Sequence, residues 1–405
     1  MGKAGKFLKF LAGTAVIGLL GAHFITGYTV EDVLNMKKEE RDPTYTPQKD
    51  IEEKIHKAVK NREEEVTIVN KEWYQESQVW DQVRKIAHNA VLEEPELFWA
   101  EIRTGYNFLG GTKEEQDEKY KDEITFSLSY QDESEVQRKQ EEIDKAAQEF
   151  LSDLPANLSD WEKAKWVHDK LITWITYEEN EEEDNGNLYG ALVLRKCVCN
   201  GYCMAYEYLM NELEIPCDTI VGYTSELAKE INDSSIYSMM SSHAWNVVTI
   251  EENGQKKSFY VDVTWDDRDK KDAQGKDYIV NNWFGVMPED MEKAERLSDM
   301  EGYEGDDAGE FQEDCNYYVR NGYVLQGYQT EAAKNAFQKQ IQEGNNVLTL
   351  RWTNQEDYEA GFASLIDNGE IHTILQELGV VRETVEYEEK NILDFRNLYM
   401  MNIYL

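Results

Sequence analysis

The stretch Lys196 to Tyr206, KCVCNGYCMAY, decides how the rest of the chain is read. Cys199 stands just before a Gly-containing turn, and Met204, Ala205, Tyr208, Leu209 and Leu213 follow at helical spacing. That pattern puts Cys199 at the start of a helix whose apolar side is buried against a sheet. A thiol with a reference pKa of about 8.5 is mostly protonated at neutral pH, so a nucleophilic cysteine needs a helix N-terminus or an imidazolium beside it. Cys199 has the first by position, because a helix start carries positive charge and unbonded N–H groups. The same N–H groups make Asn200 and Gly201 candidates for the surroundings of an oxyanion. Cys197 and Cys203 are rival nucleophiles, but neither sits at the loop-to-helix junction. A cysteine at a helix start is more often a small buried residue, so other groups have to decide.

Those groups lie downstream. His243, Trp245 and Val247 alternate with Ala244, Asn246 and Val248, and Phe259, Val261 and Val263 alternate with Tyr260, Asp262 and Thr264, so both runs read as strands. Asn253-Gly254 between them is the strongest short hairpin signal. With those two in the turn, Glu252 faces Gln255, Trp245 faces Asp262 and His243 faces Thr264. His243 and Asp262 then project from one face as diagonal neighbours, about 7 to 8 Å apart at Cβ. A one-residue slip would put them on opposite faces. Together the three residues have the makings of a nucleophile (Cys199), a general base and acid (His243) and an orienting carboxylate (Asp262). Trp245 and Trp265 read as wall or core aromatics beside this site. Asn246, Asp266 and Asp267 are weaker candidates for the orienting role.

These residues closely resemble the transglutaminase-like superfamily, of the bacterial membrane-anchored or secreted type. The match runs through YGALVLRKCVCNGY, EIPC followed by a strand and VGY, HAWN and YVDVTWDD, from about Trp161 to Asp267. PELFWAEI before it and CNYYVRNGY after it look, more loosely, like the flanks of bacterial surface proteins. Cys203 stands where a small residue is common. The resemblance implies an α+β fold: a papain-like core with a helix-borne cysteine packed on an antiparallel sheet, flanked by small α/β domains and an N-terminal hydrophobic helix. It assigns the catalytic roles to Cys199, His243 and Asp262. No cofactor and no metal site are expected. It does not choose the reaction. Resolution of the acyl-enzyme by water gives a peptidase or amidase, the favoured expectation. Resolution by an amine gives a crosslinking transglutaminase, and a non-catalytic surface binding or assembly module is the expectation from a different class.

The bulk properties set the frame. At 405 residues the chain has room for two or three domains. Forty-two basic residues against 81 acidic ones give a formal charge of −39, which repels a polyanion, so no nucleic-acid partner is expected. Acidity of this kind is mostly a solubility device, with cationic substrates or divalent cations as the functional alternative; no stretch matches a calcium loop. Five cysteines are an odd count, too sparse for a disulfide framework and wrongly spaced for a zinc knuckle. A Cys217 to Cys315 bridge is disfavoured. The partner expected is a peptide or protein substrate.

Along the chain, residues 1–28 read as a membrane anchor or signal segment. Lys3, Lys6 and Lys9 precede an uncharged run from Phe10 to Tyr28 just long enough to span the bilayer core, at about 1.5 Å per residue. An uncleaved anchor with the bulk of the chain outside the cytoplasm is expected, secretion after cleavage being the alternative. Residues 29–62 read as a charged juxtamembrane spacer ending in a short helix, 63–135 as an N-terminal α/β module, 136–292 as the catalytic domain and 293–405 as a C-terminal α/β domain. A helical pattern is expected from Glu72 to about Leu109, with a strand able to begin at Phe98 to Ile102, and helices over Glu133 to Leu151, after the S-x-x-E capping box Ser159/Glu162, and from about Glu331. Strands are expected at Ile124 to Tyr130, the run YYVRNGYVL and Val347 to Trp352. His168 reads as a satisfied helix histidine, and the acidic run Glu178 to Asp184 as a solvated loop.

Overall fold

The computed structural model describes residues 47–69, 79–104, 123–179, 184–223, 243–294, 297–298, 308–381, 384–387 and 398–405. The hydrophobic segment expected to reach the membrane lies outside these residues. Among the described residues no helix is long and apolar enough to cross a membrane. The chain divides into two compact units, residues 1–54 and 55–405.

Helix α1 (Pro47–Lys60) starts with a proline at its first helical position, where the missing N–H costs nothing. Within the larger unit its Ile55, Ala58 and Val59 are buried, so this end of the charged stretch is more than a spacer. A three-stranded antiparallel sheet follows, with β3 (Glu123–Tyr130) between β1 (Glu65–Val69) and β2 (Ala100–Thr104). In β3 the period of two works as expected: Ile124, Phe126 and Leu128 are buried while Glu123, Thr125 and Ser127 are exposed. Helix α2 (Val79–Leu92) packs against β2. β1 is a strand that sequence reading passes over, because two of its five residues carry the pattern alone.

Helix α3 (Glu133–Leu151) is capped by the Asp132 side chain, which accepts from the Ser134 N–H. Helix α4 (Asp160–Trp174) begins with both halves of the expected capping box, Ser159 and Glu162 each serving the other's backbone. Helix α5 (Cys199–Glu212) packs on α4 and on the central strands of the main sheet, β4 (Cys217–Tyr223) and β5 (His243–Glu252). The antiparallel order across that sheet is β7 (Phe284–Val286), β6 (Gln255–Val261), β5, β4 and the short pair Leu297–Ser298; Glu310–Phe311 adds in parallel to β6. Asn253 and Gly254 both have positive φ, 55° and 78°, as a type I′ turn requires, and Glu252 faces Gln255.

The hairpin departs from expectation at its far end. The β5–β6 ladder stops at the pair Asn246 and Val261, and Val263–Asp266 form a one-turn helix, α6, instead of more strand. Asp262 is its N-cap, with a side chain that accepts from the Trp265 N–H. A local carboxylate-to-backbone bond has here outcompeted the alternating pattern, so His243 and Thr264 do not pair in the ladder. A similar override occurs at YYVRNGYVL. Asn316 caps a helix over Tyr317–Asn321, Gly322 closes it in the left-handed region, and only Val324–Leu325 is strand.

In the C-terminal part, β8 (Val347–Trp352) pairs antiparallel with β9 (Met400–Tyr404) and parallel with Val324–Leu325. Helix α7 (Thr330–Gln342) packs against β8. One continuous apolar core runs from Phe98 through α4, α5 and the main sheet to Leu350 and Ile403. Arg351 on β8 holds both oxygens of the buried Asp290, at 2.8 and 2.7 Å.

Candidate active site

Cys199 is the first residue of α5 and is half-buried, whereas Cys197, Cys203, Cys217 and Cys315 are buried; all five thiols are free. The N-cap position is Val198, which has no side chain to cap with, so the first turn is left open. The N–H groups of Gly201 and Tyr202 turn back to the Val198 carbonyl at 2.9 and 3.4 Å. Gly201 is therefore no donor to an oxyanion, contrary to the sequence reading. Its place is steric: a Cβ there would lie 2.6 Å from Cys197 Cβ and 2.7 Å from its Sγ. The N–H groups of Cys199 and Asn200 stand ahead of the first intrahelical acceptor and are the donors this helix start offers. The Asn200 amide anchors the preceding loop, donating to the Gly186 carbonyl at 2.8 Å.

Strand β5 begins at His243, whose ring Nε2 lies 2.6 Å from Asp262 Oδ2. The other carboxylate oxygen, Oδ1, accepts the Trp265 N–H at 3.1 Å, and the Asp262 N–H donates to the Trp283 carbonyl at 3.0 Å. Asp262 is thus held on both sides and keeps one oxygen for the imidazole. The Cys199 sulfur acts on the same ring, favouring its protonated form, and with Nε2 committed to Asp262 the nitrogen left for sulfur is Nδ1. Burial opposes charge on the ring, yet the Asp262 carboxylate and then the Cys199 sulfur outweigh it, and the pKa of His243 is pushed up to about 9. Cys199, His243 and Asp262 are brought together, His243 and Asp262 by a hydrogen bond and Cys199 by its electrostatic effect on the ring. Burial pushes the thiols of Cys197 and Cys203 well above the ordinary value, the opposite of what a nucleophile needs.

The two tryptophans differ. Trp245 is 2% exposed and packs edge-on to Tyr260, a core position. Trp265 is 36% exposed and stands edge-on to the His243 ring at 5.8 Å, so it walls the site. Tyr177, which sequence reading missed, is the matching aromatic beside the thiol. Burial first, and then the Cys199 sulfur, push its phenol up to about 12. No local pattern marks it, because a two-residue strand, Thr176–Tyr177, brings it in by pairing with Lys196–Cys197.

Asp266 and Asp267 do not serve His243. Asp267 Oδ2 accepts the Tyr202 hydroxyl at 2.7 Å, and Asp266 takes His168 Nε2–H at 3.1 Å. Asn246 ties the sheet to α5, its Nδ2 donating to the Cys203 carbonyl and to Thr219 Oγ1, both at 3.2 Å. Of the acidic run, Asp184 is ion-paired at 2.7 Å with the buried Lys139, so that end of the loop is anchored; residues 180–183 lie outside the described residues. Among the described residues no group of three or more His, Cys, Asp or Glu side chains could hold a metal ion.

The family model of the transglutaminase-like superfamily matches residues 144–263. No curated protein matches the chain. Among solved structures, one described as the crystal structure of a TGase is 12% identical and covers 49% of this chain, with a TM-score of 0.24. This chain spans about half of that one, 50% of its length. With its mixed helices and antiparallel sheets, the chain carries a domain of the transglutaminase-like superfamily over residues 144–263, the segment that holds Cys199, His243 and Asp262.

Proposed function

We propose that this protein is a thiol acyl-transfer enzyme that hydrolyses peptide or amide bonds. The observation that carries the reading is the convergence on one imidazole, with Asp262 at 2.6 Å on Nε2 and the Cys199 sulfur near enough to help raise the ring's pKa. The ring takes the thiol proton and holds it as an imidazolium stabilised by Asp262. The thiolate attacks the substrate carbonyl; a C–S bond forms and the carbonyl oxygen takes the negative charge beside the Cys199 and Asn200 N–H groups. As the tetrahedral adduct collapses, the C–N bond breaks and the imidazolium gives its proton to the leaving amine. Water then attacks the thioester carbonyl, His243 accepts its proton, and the C–S bond breaks to return the thiol. Trp265 and Tyr177 wall the approach, and the formal charge of −39 favours neutral or cationic substrates over anionic ones. A location at the cell surface rests on the basic and apolar run at Lys3 to Tyr28.

The test compares the full chain with Cys199→Ala on peptide libraries, with and without a primary amine. Cleavage that needs Cys199 and is unaffected by amine is the expected result. Cys199-dependent incorporation of the amine would replace hydrolysis by crosslinking. Peptide retained by both proteins without any covalent change would sink the enzymatic reading in favour of a binding module.

A further inference from the structure

A second buried His–carboxylate pair lies beside the first, at the other end of the same helical turn. His168, midway along α4, is wholly buried and has both ring nitrogens engaged: Nε2 with Asp266 at 3.1 Å and Nδ1 with Asp169 at 2.9 Å. Asp169 in turn pairs with Lys165. Asp266 is also fully buried, and its oxygens accept the backbone N–H groups of Asn282 at 3.0 Å and Trp283 at 3.1 to 3.2 Å. Residue Trp283 is therefore bonded at both ends of α6, since its carbonyl accepts the Asp262 N–H. Helix α6 has only four residues, far too few to hold a shape unaided. What sets it are its two terminal carboxylates, Asp262 on His243 and Asp266 on His168, with the Asn282-Trp283 segment strapped across both.

We propose that His168 is a positioning residue of the site: through Asp266 it fixes the turn that is capped by Asp262, and so sets where the Asp262 carboxylate meets His243. The inference rests on the acyl-transfer reading for its significance, though not for its geometry. His168 touches neither Cys199 nor His243 in any hydrogen bond, and the first edge it presents to the core is to Phe284 of β7, at 5.2 Å between ring centres. Without a donor at residue 168, Asp266 would keep a buried charge on two backbone N–H groups only, and the turn would shift to rehydrate it.

The sign of the effect on His243 separates positioning from a mere field. Loss of the cationic His168 ring, with nothing moved, leaves Asp266 less compensated and would raise the His243 pKa. Loss of position weakens the Asp262 contact and lowers it towards the ordinary value. The experiment uses the full chain and two readouts that need no substrate: the NMR titration of the His243 ring, and the rate of Cys199 alkylation by iodoacetamide against pH. In His168→Leu, at a temperature where circular dichroism shows the chain folded, the His243 titration is expected to move down. The alkylation rate near neutral pH should fall by about tenfold or more, since an ångström of misplacement costs up to about a hundredfold. His168→Gln, whose amide can still donate to Asp266, should recover most of that rate. If His168→Leu does not fold, His168→Met fills the same space without a donor and is read in the same way. A lower melting temperature with alkylation and titration as in the wild type would overturn the proposal, as would an upward shift. Should the shift appear in a protein that turns over no peptide, the acyl-transfer reading fails while the positioning role stands; turnover without the shift gives the reverse.

Discussion

Asp262 grips His243 with one carboxylate oxygen and its own chain with the other, Oδ2 lying 2.6 Å from the ring and Oδ1 3.1 Å from the Trp265 amide. A cap that is also the imidazole's partner makes the orientation of the ring a property of the backbone. Replacing Asp262 by Asn keeps an acceptor for the Trp265 N–H but removes the charge that stabilises the imidazolium. The expected result is a nearly normal melting temperature with a rate of acyl transfer lower by about 10³ to 10⁴. Asp262→Ala should add the loss of the cap, about 1 kcal/mol of stability. Steady-state kinetics and thermal melts of the two variants together check this; equal rates in wild type and Asp262→Asn would remove Asp262 from the mechanism.

Accessibility and charge single out one thiol of five. Cys199 is half-buried and acts electrostatically on His243, while Cys197, Cys203 and Cys217 are buried with pKa values raised well above the ordinary range by desolvation. Iodoacetamide near neutral pH is therefore expected to label Cys199 first, and the others only after denaturation. Peptide mapping by mass spectrometry decides it. Labelling of Cys203 at a rate matching Cys199 would count against the assignment.

The raised His243 pKa has a definite pH signature. The ring titrates at about 9 in the folded chain against about 6.5 unfolded, so its contribution to stability is whole below about pH 6.5 and is lost as pH climbs to about 9. Turnover should fail in the same upper range, where no imidazolium remains to protonate the leaving amine. Melting temperatures of wild type and His243→Gln should accordingly converge between pH 6.5 and 9. A gap that widens over that interval would show the sign to be wrong.

Glu207 sits under the site on α5, 6% exposed, accepting the Thr219 hydroxyl at 2.7 Å, and burial raises its pKa well above the usual carboxylate value. A raised carboxylate is favourable to folding below its unfolded pKa of about 4.3 and costs stability as pH rises through the folded value. Glu207→Gln keeps the acceptor without the charge. It is expected to melt like the wild type near pH 4 and to gain about 1 kcal/mol or more near pH 8. Destabilisation at pH 8 would mean that the carboxylate is charged and paired in the folded chain.

Gly201 is small because Cys197 leaves no room. Gly201→Ala should cost about 1 to 3 kcal/mol by overpacking and displace the first turn of α5. The alkylation rate of Cys199 reports the displacement, and Cys197→Gly in the same chain should restore part of it. A fully stable Gly201→Ala with unaltered labelling would show that the turn absorbs the extra methyl.

Much of the site is legible before any folding is considered because its information is local. Helical spacing after Cys199 and the Asn253-Gly254 turn place a cysteine at a helix start and set the pairing of Glu252 with Gln255. Counting from that turn brings His243 and Asp262 to one side, and the hydrogen bond between them forms even though the strand has ended by then. The period-two count does not reveal that ending. Asp262 closes on the Trp265 amide three residues ahead, and a cap of that kind competes with a ladder on nearly equal terms until the rest of the fold weighs in.

Sequence by itself singled out Cys199, His243 and Asp262, since helix starts, turn residues and alternation act over a few positions and leave their mark on the chain. Only the tertiary structure decided how the three carboxylates of DVTWDD are shared out: Asp262 to His243, Asp266 to His168 and Asp267 to Tyr202. Their partners lie 19, 98 and 65 residues away. The physical reason is that a carboxylate is chemically the same wherever it stands, and its role is set by which donor the packing of α4, α5 and the sheet brings within reach. Tyr177 entered the site in the same way, by a strand pairing too short to leave a pattern.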